Sequence, residues 1–374
     1  MADGTDLVVV GGGVVGTAVA YFAARSGMSC TLIEKDVIGS GASNAASGVL
    51  SPSPGEGDYA RLSRRSLGLF HELAPRLRDE AGVDVELEEC GELILALDES
   101  DVIALQGLRR QLAALGADAM WVESDDLLQM EPALNPAVMG AIYEPEVCRV
   151  NNQRLSDALA GAAGRQGAII RQGVEVTGLL MDGGRVTGAN TSEGPVRAGN
   201  VVLAAGAWTG LMDTWLYGER SPSLAGQPMV KPVSGVNLNL RPTQGGIRSV
   251  IHGSWGLLVP RNDGSVIAGA TVEEVGFDAR VTAGSVHAIL GLGAALVPSL
   301  RDADLNWSVA GLRPGSADDV PVIGPLPEYD NVYIASGHFR NGILLSLATG
   351  EAITGMLNGN PNDHLASFSP ARFL

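Results

Sequence analysis

The sequence is poor in cysteine and in positive charge. Its 374 residues contain three cysteines, and 25 lysines and arginines face 42 aspartates and glutamates, which gives a formal net charge of −17. Cys30, Cys90 and Cys148 form no pair at metal-binding or redox spacing, so we expect neither a disulfide framework nor a metal site. A surface this negative repels phosphate backbones and anionic lipids, and we expect no nucleic-acid partner.

The sequence also lacks long apolar runs, and we expect no leader segment. No stretch of about twenty apolar residues occurs, so we expect no membrane span. Residues 1–6 are polar and lead directly into an apolar strand, without the basic and apolar segments of a signal peptide. We therefore expect a cytoplasmic protein. Whether it forms a homo-oligomer stays open.

The apolar periodicity predicts an α/β fold. Residues 7–10 and 30–34 are typical of buried parallel strands, and residues 14–25 between them of a helix. Residues 228–273 alternate in short runs with turn residues, which indicates antiparallel sheet. Further helices are predicted at residues 58–80, 101–115, 153–166, 283–296 and 341–357, and further strands within 83–97 and near 168–176, 185–191, 201–205, 305–312 and 332–336.

A glycine motif follows the first strand. In the stretch 11–16, Gly11 permits a tight turn, Gly13 lets the backbone approach a pyrophosphate, and Gly16 lets the helix pack close to the strand. Glu34 ends the second strand, where a carboxylate accepts hydrogen bonds from ribose hydroxyls. The pattern predicts a dinucleotide site. The alternative is a glycine-rich turn in an unrelated fold, with Glu34 merely exposed.

A second segment rich in glycine and serine spans residues 39–48. Its small side chains would let the backbone line a flat ring system beyond the pyrophosphate, as in a flavin site. A flexible surface loop explains the same composition. The segment alone does not decide between FAD and NAD.

Five stretches together resemble the D-amino-acid-oxidase (DAO) family of flavoproteins, and within it glycine oxidase. They are residues 8–16 with Glu34, 41–48, 202–209, 310–315 and 336–345, in the family's order. The resemblance implies FAD, held noncovalently because no cysteine lies in the carboxyl-terminal flavin segment. The FAD-binding residues that motif and resemblance predict are Gly11, Gly13, Val14, Val15, Gly16, Glu34, Lys35, Gly41, Ala42, Ser43, Ala46, Ser47, Gly48, Val49, Val174, Ala205, Gly206, Trp208, Arg313, His338, Arg340, Asn341, Gly342, Ile343 and Leu344.

Arg313 is the predicted substrate ligand, and Arg340 is a second catalytic candidate. The resemblance implies that Arg313, in the stretch 310–315, binds a substrate carboxylate, which a guanidinium can hold through two parallel hydrogen bonds. A structural ion pair with Asp318 or Asp319 is the alternative. Leu257 stands where glycine oxidase has a pocket tyrosine, and Trp255 could supply an N–H donor instead. His338 is expected beside the flavin without acting as a base.

The resemblance also implies two interleaved domains. We predict a Rossmann-like FAD-binding domain of the glutathione-reductase type over residues 1–80, 150–220 and 310–374. A substrate domain built on a mainly antiparallel sheet would cover 81–149 and 221–309.

Three functions remain open at this point. The first is oxidation of glycine, sarcosine or a small D-amino acid by hydride transfer to flavin N5, with O2 as acceptor. The second is a dehydrogenase acting on an amine, imino acid or 2-hydroxy acid with another electron acceptor. The third is a non-catalytic FAD-binding subunit.

Overall fold

The computed structural model describes residues 4–212, 215, 223–224, 227–360 and 363–373. The polar segment 1–3 and the predicted domain boundary at 220/221 lie outside them. The α-helices are α1 (Val14–Arg25), α2 (Ala42–Ala45), α3 (Asp58–Ala81), α4 (Glu99–Ala114), α5 (Ser124–Met130), α6 (Asn152–Arg165), α7 (Ala283–Leu296) and α8 (Gly342–Leu357).

The strands of the first half of the chain alternate with these helices. They are β1 (Thr5–Val10), β2 (Cys30–Ile33), β3 (Val49–Leu50), β4 (Glu88–Glu89), β5 (Glu92–Ala96), β6 (Met120–Glu123), β7 (Gly140–Glu144), β8 (Cys148–Arg149) and β9 (Ile169–Arg171). The later strands are β10 (Val176–Asp182), β11 (Arg185–Thr191), β12 (Gly194–Leu203), β13 (Ser223–Leu224), β14 (Gln227–Pro228), β15 (Val230–Arg241), β16 (Val250–His252), β17 (Leu257–Pro260), β18 (Val266–Gly269), β19 (Asp304–Ser316), β20 (Val322–Pro325) and β21 (Val332–Ser336).

The first large sheet is built on parallel strands. β9, β2, β1, β12 and β21 lie side by side and parallel, and β20 pairs antiparallel with β21. The hairpin of β10 and β11 pairs with the first half of β12. Buried residues of α1, α3, α6 and α8 form one apolar cluster with this sheet. The predicted strand–helix–strand unit at the amino terminus is confirmed.

The helices α1 and α8 approach each other closely. A Cβ added to Gly350 of α8 would lie 2.7 Å from the carbonyl carbon of Ala18 in α1. Glycine is therefore required at this crossing, which fixes the amino ends of both helices relative to the sheet.

The second large sheet is mainly antiparallel, as predicted. Its strand order is β19-β15-β18-β17-β16-β5-β7-β6, and only the β16–β5 pair in this order is parallel. Alternation along β15 explains its two faces: Val236, Leu238 and Leu240 join an apolar cluster with α7, while Asn237 and Asn239 point to the other side. Within the described ranges, no helix is both long and apolar enough to cross a bilayer.

Candidate FAD and substrate site

A cavity of about 560 Å³ lies between the two large sheets. On one side it is lined by residues that follow the carboxyl ends of β1, β2 and β12, where ligands bind in open parallel sheets. On the other side it is lined by residues of the second sheet. Of the predicted site residues, all but Gly16 and Leu344 line this cavity.

The glycine turn between β1 and α1 has the close contacts that require glycine. Gly11 has φ 105°, and a Cβ there would lie 2.5 Å from the carbonyl oxygen of Ala204. A Cβ on Gly16 would lie 1.9 Å from the carbonyl oxygen of Gly11. Gly16 therefore serves helix–strand packing, whereas Gly11, Gly13, Val14 and Val15 line the cavity.

Glu34 is buried beside this turn. One carboxylate oxygen accepts a hydrogen bond of 2.6 Å from the amide of Gly12, and the other accepts one of 2.9 Å from the amide of Asp36. Because Glu34 also lines the cavity, the alternative of a merely exposed residue is wrong. Two amides hold the carboxylate and leave lone pairs available for a ligand hydroxyl.

Residues 39–48 are anchored, so the alternative of a flexible surface loop is also wrong. The guanidinium of Arg261 donates to the carbonyl oxygen of Ser47 at 2.9 Å, and the amide of Asn152 donates to that of Ser43. The hydroxyl of Ser43 accepts from the amide of Val14 at 2.9 Å, at the amino end of α1. Gly41, Ala42, Ser43, Ala46, Ser47, Gly48 and Val49 line the cavity.

Lys35 and Trp208 face each other at the β2 end of the cavity. The ammonium of Lys35 lies 4.2 Å from the centre of the Trp208 ring. Val174, Ala205 and Gly206 line the same region, although the amide of Val174 donates to the carbonyl oxygen of Glu34 at 3.0 Å. The amide of Val174 is therefore already bonded within the chain.

Arg313 lies inside β19, which continues three residues beyond it to Ser316, rather than at the end of a strand. Its guanidinium donates to the carbonyl oxygens of Ser234 at 3.2 Å and Thr271 at 3.0 Å. No carboxylate in the described part of the chain lies within ion-pair distance of it. Asp318 pairs instead with Arg372 at 2.7 Å. Arg313 therefore brings an unpaired positive charge to the cavity.

The electrostatic surroundings of Arg313 are unfavourable for a cation. Burial and the like charge of Arg340 lower the pKa of Arg313 to about 10, so the guanidinium remains protonated at neutral pH. An anion bound here would offset both effects, so the surroundings of Arg313 suit a carboxylate.

The amino end of α8 closes the cavity. The helix begins at Gly342, after a 3-10 turn over Phe339–Asn341. Arg340, Asn341, Gly342 and Ile343 line the cavity, whereas Leu344 is buried in the core. Asn341 donates through its side chain to the hydroxyl of Tyr59.

His338 lies just before this turn and is almost fully buried. One ring nitrogen lies 3.0 Å from the hydroxyl of Thr349, and burial lowers the pKa of His338 to about 4. The imidazole is therefore neutral at physiological pH.

Leu257 and Trp255 both line the cavity, and Trp255 is 45% exposed at its mouth. Three polar residues of the second sheet that the sequence did not single out line it as well: Glu92, Asn237 and His252. The Asn237 side chain donates to the carbonyl oxygen of Ala45 at 2.6 Å, while its Oδ1 is buried without a partner among the described residues.

The residues present fit FAD held without a covalent bond. The glycine turn and the amino end of α1 suit a pyrophosphate, the anchored segment 39–48 offers small side chains and backbone, and the amino end of α8 adds positive potential. None of the three cysteines is among the cavity-lining residues.

Comparison with known proteins agrees with this geometry. The chain is 32% identical over 373 residues to a glycine oxidase of Pseudomonas aeruginosa, covering 98% of each. It is 32% identical over 369 residues to a bifunctional protein ThiO/ThiG of a Nostoc species, of whose length it spans 54%. The crystal structure of a glycine oxidase from Geobacillus kaustophilus superposes with a TM-score of 0.92 at 32% identity, over 100% of both chains. The family model for FAD-dependent oxidoreductases of the DAO type matches residues 6–356, and the chain therefore belongs to this family.

Proposed function

We propose that the chain uses FAD to oxidise the CH–NH bond of a small amino or imino acid, such as glycine, sarcosine or a D-amino acid, to the imine. The relatives named glycine oxidase support the reaction class. The observation that carries the proposal is Arg313, a protonated guanidinium in the FAD cavity that has no acidic partner among the described residues.

Arg313 would fix the substrate by its carboxylate. Two carbonyl oxygens already orient the guanidinium, and a carboxylate would complete its hydrogen bonds with a charge-assisted pair. Fixing the carboxylate also fixes the α-carbon next to it, so most of the catalytic effect would come from alignment. When bound, FAD would supply the hydride acceptor, its N5 atom.

No protein base is required beyond the neutral amine of the substrate. The nitrogen lone pair would assist loss of the hydride, and hydrolysis of the imine would give an oxo acid and ammonia, or the corresponding amine from an N-substituted substrate such as sarcosine. His338 is neutral and bonded to Thr349, which suits a supporting residue. The amino end of α8 and Arg340 would favour negative charge on the reduced cofactor. The predicted FAD-binding residues and domain bounds, and a cytoplasmic location, are part of this proposal.

Leu257 favours a second candidate, a dehydrogenase that acts on a bulkier amine, imino acid or 2-hydroxy acid. Its side chain lines the cavity and offers no hydroxyl to a substrate carboxylate. Such an enzyme would pass electrons to an acceptor other than O2. A non-catalytic FAD-binding subunit is disfavoured by the unpaired Arg313.

An anaerobic substrate panel tests the proposal. The purified holoenzyme is mixed without oxygen with glycine, sarcosine, D-alanine, D-proline and a 2-hydroxy acid, and flavin absorbance is followed. We expect bleaching by at least one amino or imino acid, because Arg313 would hold its α-carbon beside the flavin.

Re-admission of air then separates the alternatives. Peroxide formed together with re-oxidation supports the oxidase, and reduced flavin that persists in air until a quinone or dye is added supports the dehydrogenase. A flavin that no amine and no hydroxy acid reduces would contradict both and leave the non-catalytic subunit.

A further inference from the structure

One face of the second sheet carries a row of polar residues toward the cavity. Glu92 of β5 is in register with Val250 of the parallel strand β16, so Glu92 and His252 point to the same face. His252 is in register with Leu257, which is in register with Gly269, and Gly269 with Asn237. Charged and polar side chains of this face therefore share the cavity with the FAD site.

Glu92 stands out on this face because it is buried and lacks a partner. It is 8% exposed, and no donor or cation of the described residues lies within bonding distance of its carboxylate. Its cross-strand neighbour on β7 is a second carboxylate, Glu144. Burial and the like charge of Glu144 raise the pKa of Glu92 to about 7. A buried carboxylate without a partner is costly, and such groups are retained mainly where a ligand uses them.

The arrangement of the strands decides which part of a substrate could reach Glu92. Arg313 is on the edge strand β19, and Glu92 is on β5, with β15, β18, β17 and β16 between them. The α-nitrogen of an amino acid is two bonds from its carboxylate carbon and so stays near Arg313. The Arg313 guanidinium reaches over β15 to the carbonyl oxygen of Thr271, so three to four strand spacings of about 4.8 Å remain to β5. Only a group at the far end of a long side chain would reach Glu92.

The charges on this side of the cavity favour a cation there over a neutral donor. Glu144 adds a second negative charge next to Glu92. Burial and Arg340 lower the pKa of His252, the nearest titratable group on the adjacent strand, so its imidazole does not neutralise the carboxylate. A ligand cation would supply the missing charge and bring Glu92 fully into its ionised form.

We propose that Glu92 forms a subsite for a cationic group, an ammonium or guanidinium, at the end of the substrate side chain, while Arg313 holds the α-carboxylate. This inference rests on the proposed function, because it places the substrate between the two residues. It changes the expected substrate class from glycine to amino acids with a basic side chain.

Pairs of carboxylates that differ only in a terminal amine test the subsite. Holoenzyme is titrated with ω-aminoalkanoates of four to eight carbons and with the alkanoates of equal length, and binding is read from the perturbation of flavin absorbance. Neither ligand carries an α-amine, so no turnover interferes. We expect one chain length at which the amine binds about tenfold or more tightly than its alkanoate, the usual size of a buried charge-assisted contact.

Glu92→Gln should abolish this preference and leave alkanoate binding and FAD content unchanged. Glu146→Gln removes an exposed carboxylate from the turn that follows β7. It should keep the preference, and so it controls for the general effect of losing one negative charge near the site. A wild-type protein that binds alkanoates but prefers no amine overturns the inference and leaves the carboxylate site intact. If the protein binds neither series, the carboxylate site is overturned as well. If the preference survives in Glu92→Gln, Glu92 does not form the subsite.

Discussion

Two residues that line the cavity, the half-buried Arg313 and the buried Glu92, have no ion pair among the described residues. Several arginines outside the cavity have carboxylate partners, as in Arg372 with Asp318 and Arg65 with Glu351. Arg313 is held by two carbonyl oxygens alone, and Glu92 has no bonding partner in the part of the chain that the structure describes. Since an unpaired buried charge lowers stability, we expect replacement of either residue by a neutral one to change the free energy of unfolding.

The stability cost of Glu92 should depend on pH. Its pKa is raised from 4.5 to about 7 by burial and by Glu144, so the folded state favours the protonated acid. The associated stability is fully present below pH 4.5 and is lost as the pH rises through about 7. A shift of this size corresponds to about 3 kcal/mol.

Urea unfolding of wild type and Glu92→Gln at fixed excess FAD checks this prediction. The variant should gain stability relative to wild type by about 3 kcal/mol between pH 4.5 and pH 8, because the amide does not ionise. A difference between the two proteins that stays constant over this range would show that Glu92 is solvated or paired.

Among the elements, those with a clear apolar period were predicted well. The helices α1, α3 and α7 begin and end within a residue of the predicted ranges, and so does β21. The strands β6 and β7 and the short helix α5 were not predicted, since brief segments without strong alternation depend on tertiary pairing. β19 extends past Arg313 because its whole length pairs with β15, which the local sequence does not reveal.

The close approach of α1 to the turn that follows β1 provides a prediction at the scale of elements. Gly16→Ala would place a methyl group 1.9 Å from the carbonyl oxygen of Gly11, so the helix must move away from the strand. We expect a loss of stability of about 1–3 kcal/mol or more and weakened FAD binding, measured by thermal unfolding and by flavin content.

Gly68→Ala is the matched control. It adds the same methyl group inside α3, where nothing lies within 4 Å. This variant should keep its FAD and be up to about 1 kcal/mol more stable, as expected from helix propensity. If Gly16→Ala behaved like Gly68→Ala, the close contact between Gly16 and the Gly11 carbonyl would not be needed for the cofactor site.

At the scale of the whole molecule, the function depends on two sheets that face each other across one cavity. The glycine motif, the segment 39–48 and the stretch 336–345 predicted one side of it, because their chemistry is local in sequence. The other side was predicted only at Arg313, Leu257 and Trp255. Glu92 and Asn237 lie in alternating apolar strands, where the sequence shows that a polar residue interrupts the pattern but not which face meets the cofactor.

The proposed function depends on Arg313 holding the carboxylate of the substrate beside the flavin. The direct measurement is anaerobic flavin reduction by stopped flow, with the apparent dissociation constant taken from the dependence of the rate on amino-acid concentration. Arg313→Ala is compared with wild type and with Arg301→Ala, which removes an exposed arginine.

We expect Arg313→Ala to retain FAD and to raise that dissociation constant by about a hundredfold or more, since two charge-assisted hydrogen bonds are lost. Arg301→Ala should match wild type. An Arg313→Ala protein that is reduced with the wild-type dissociation constant would contradict the account.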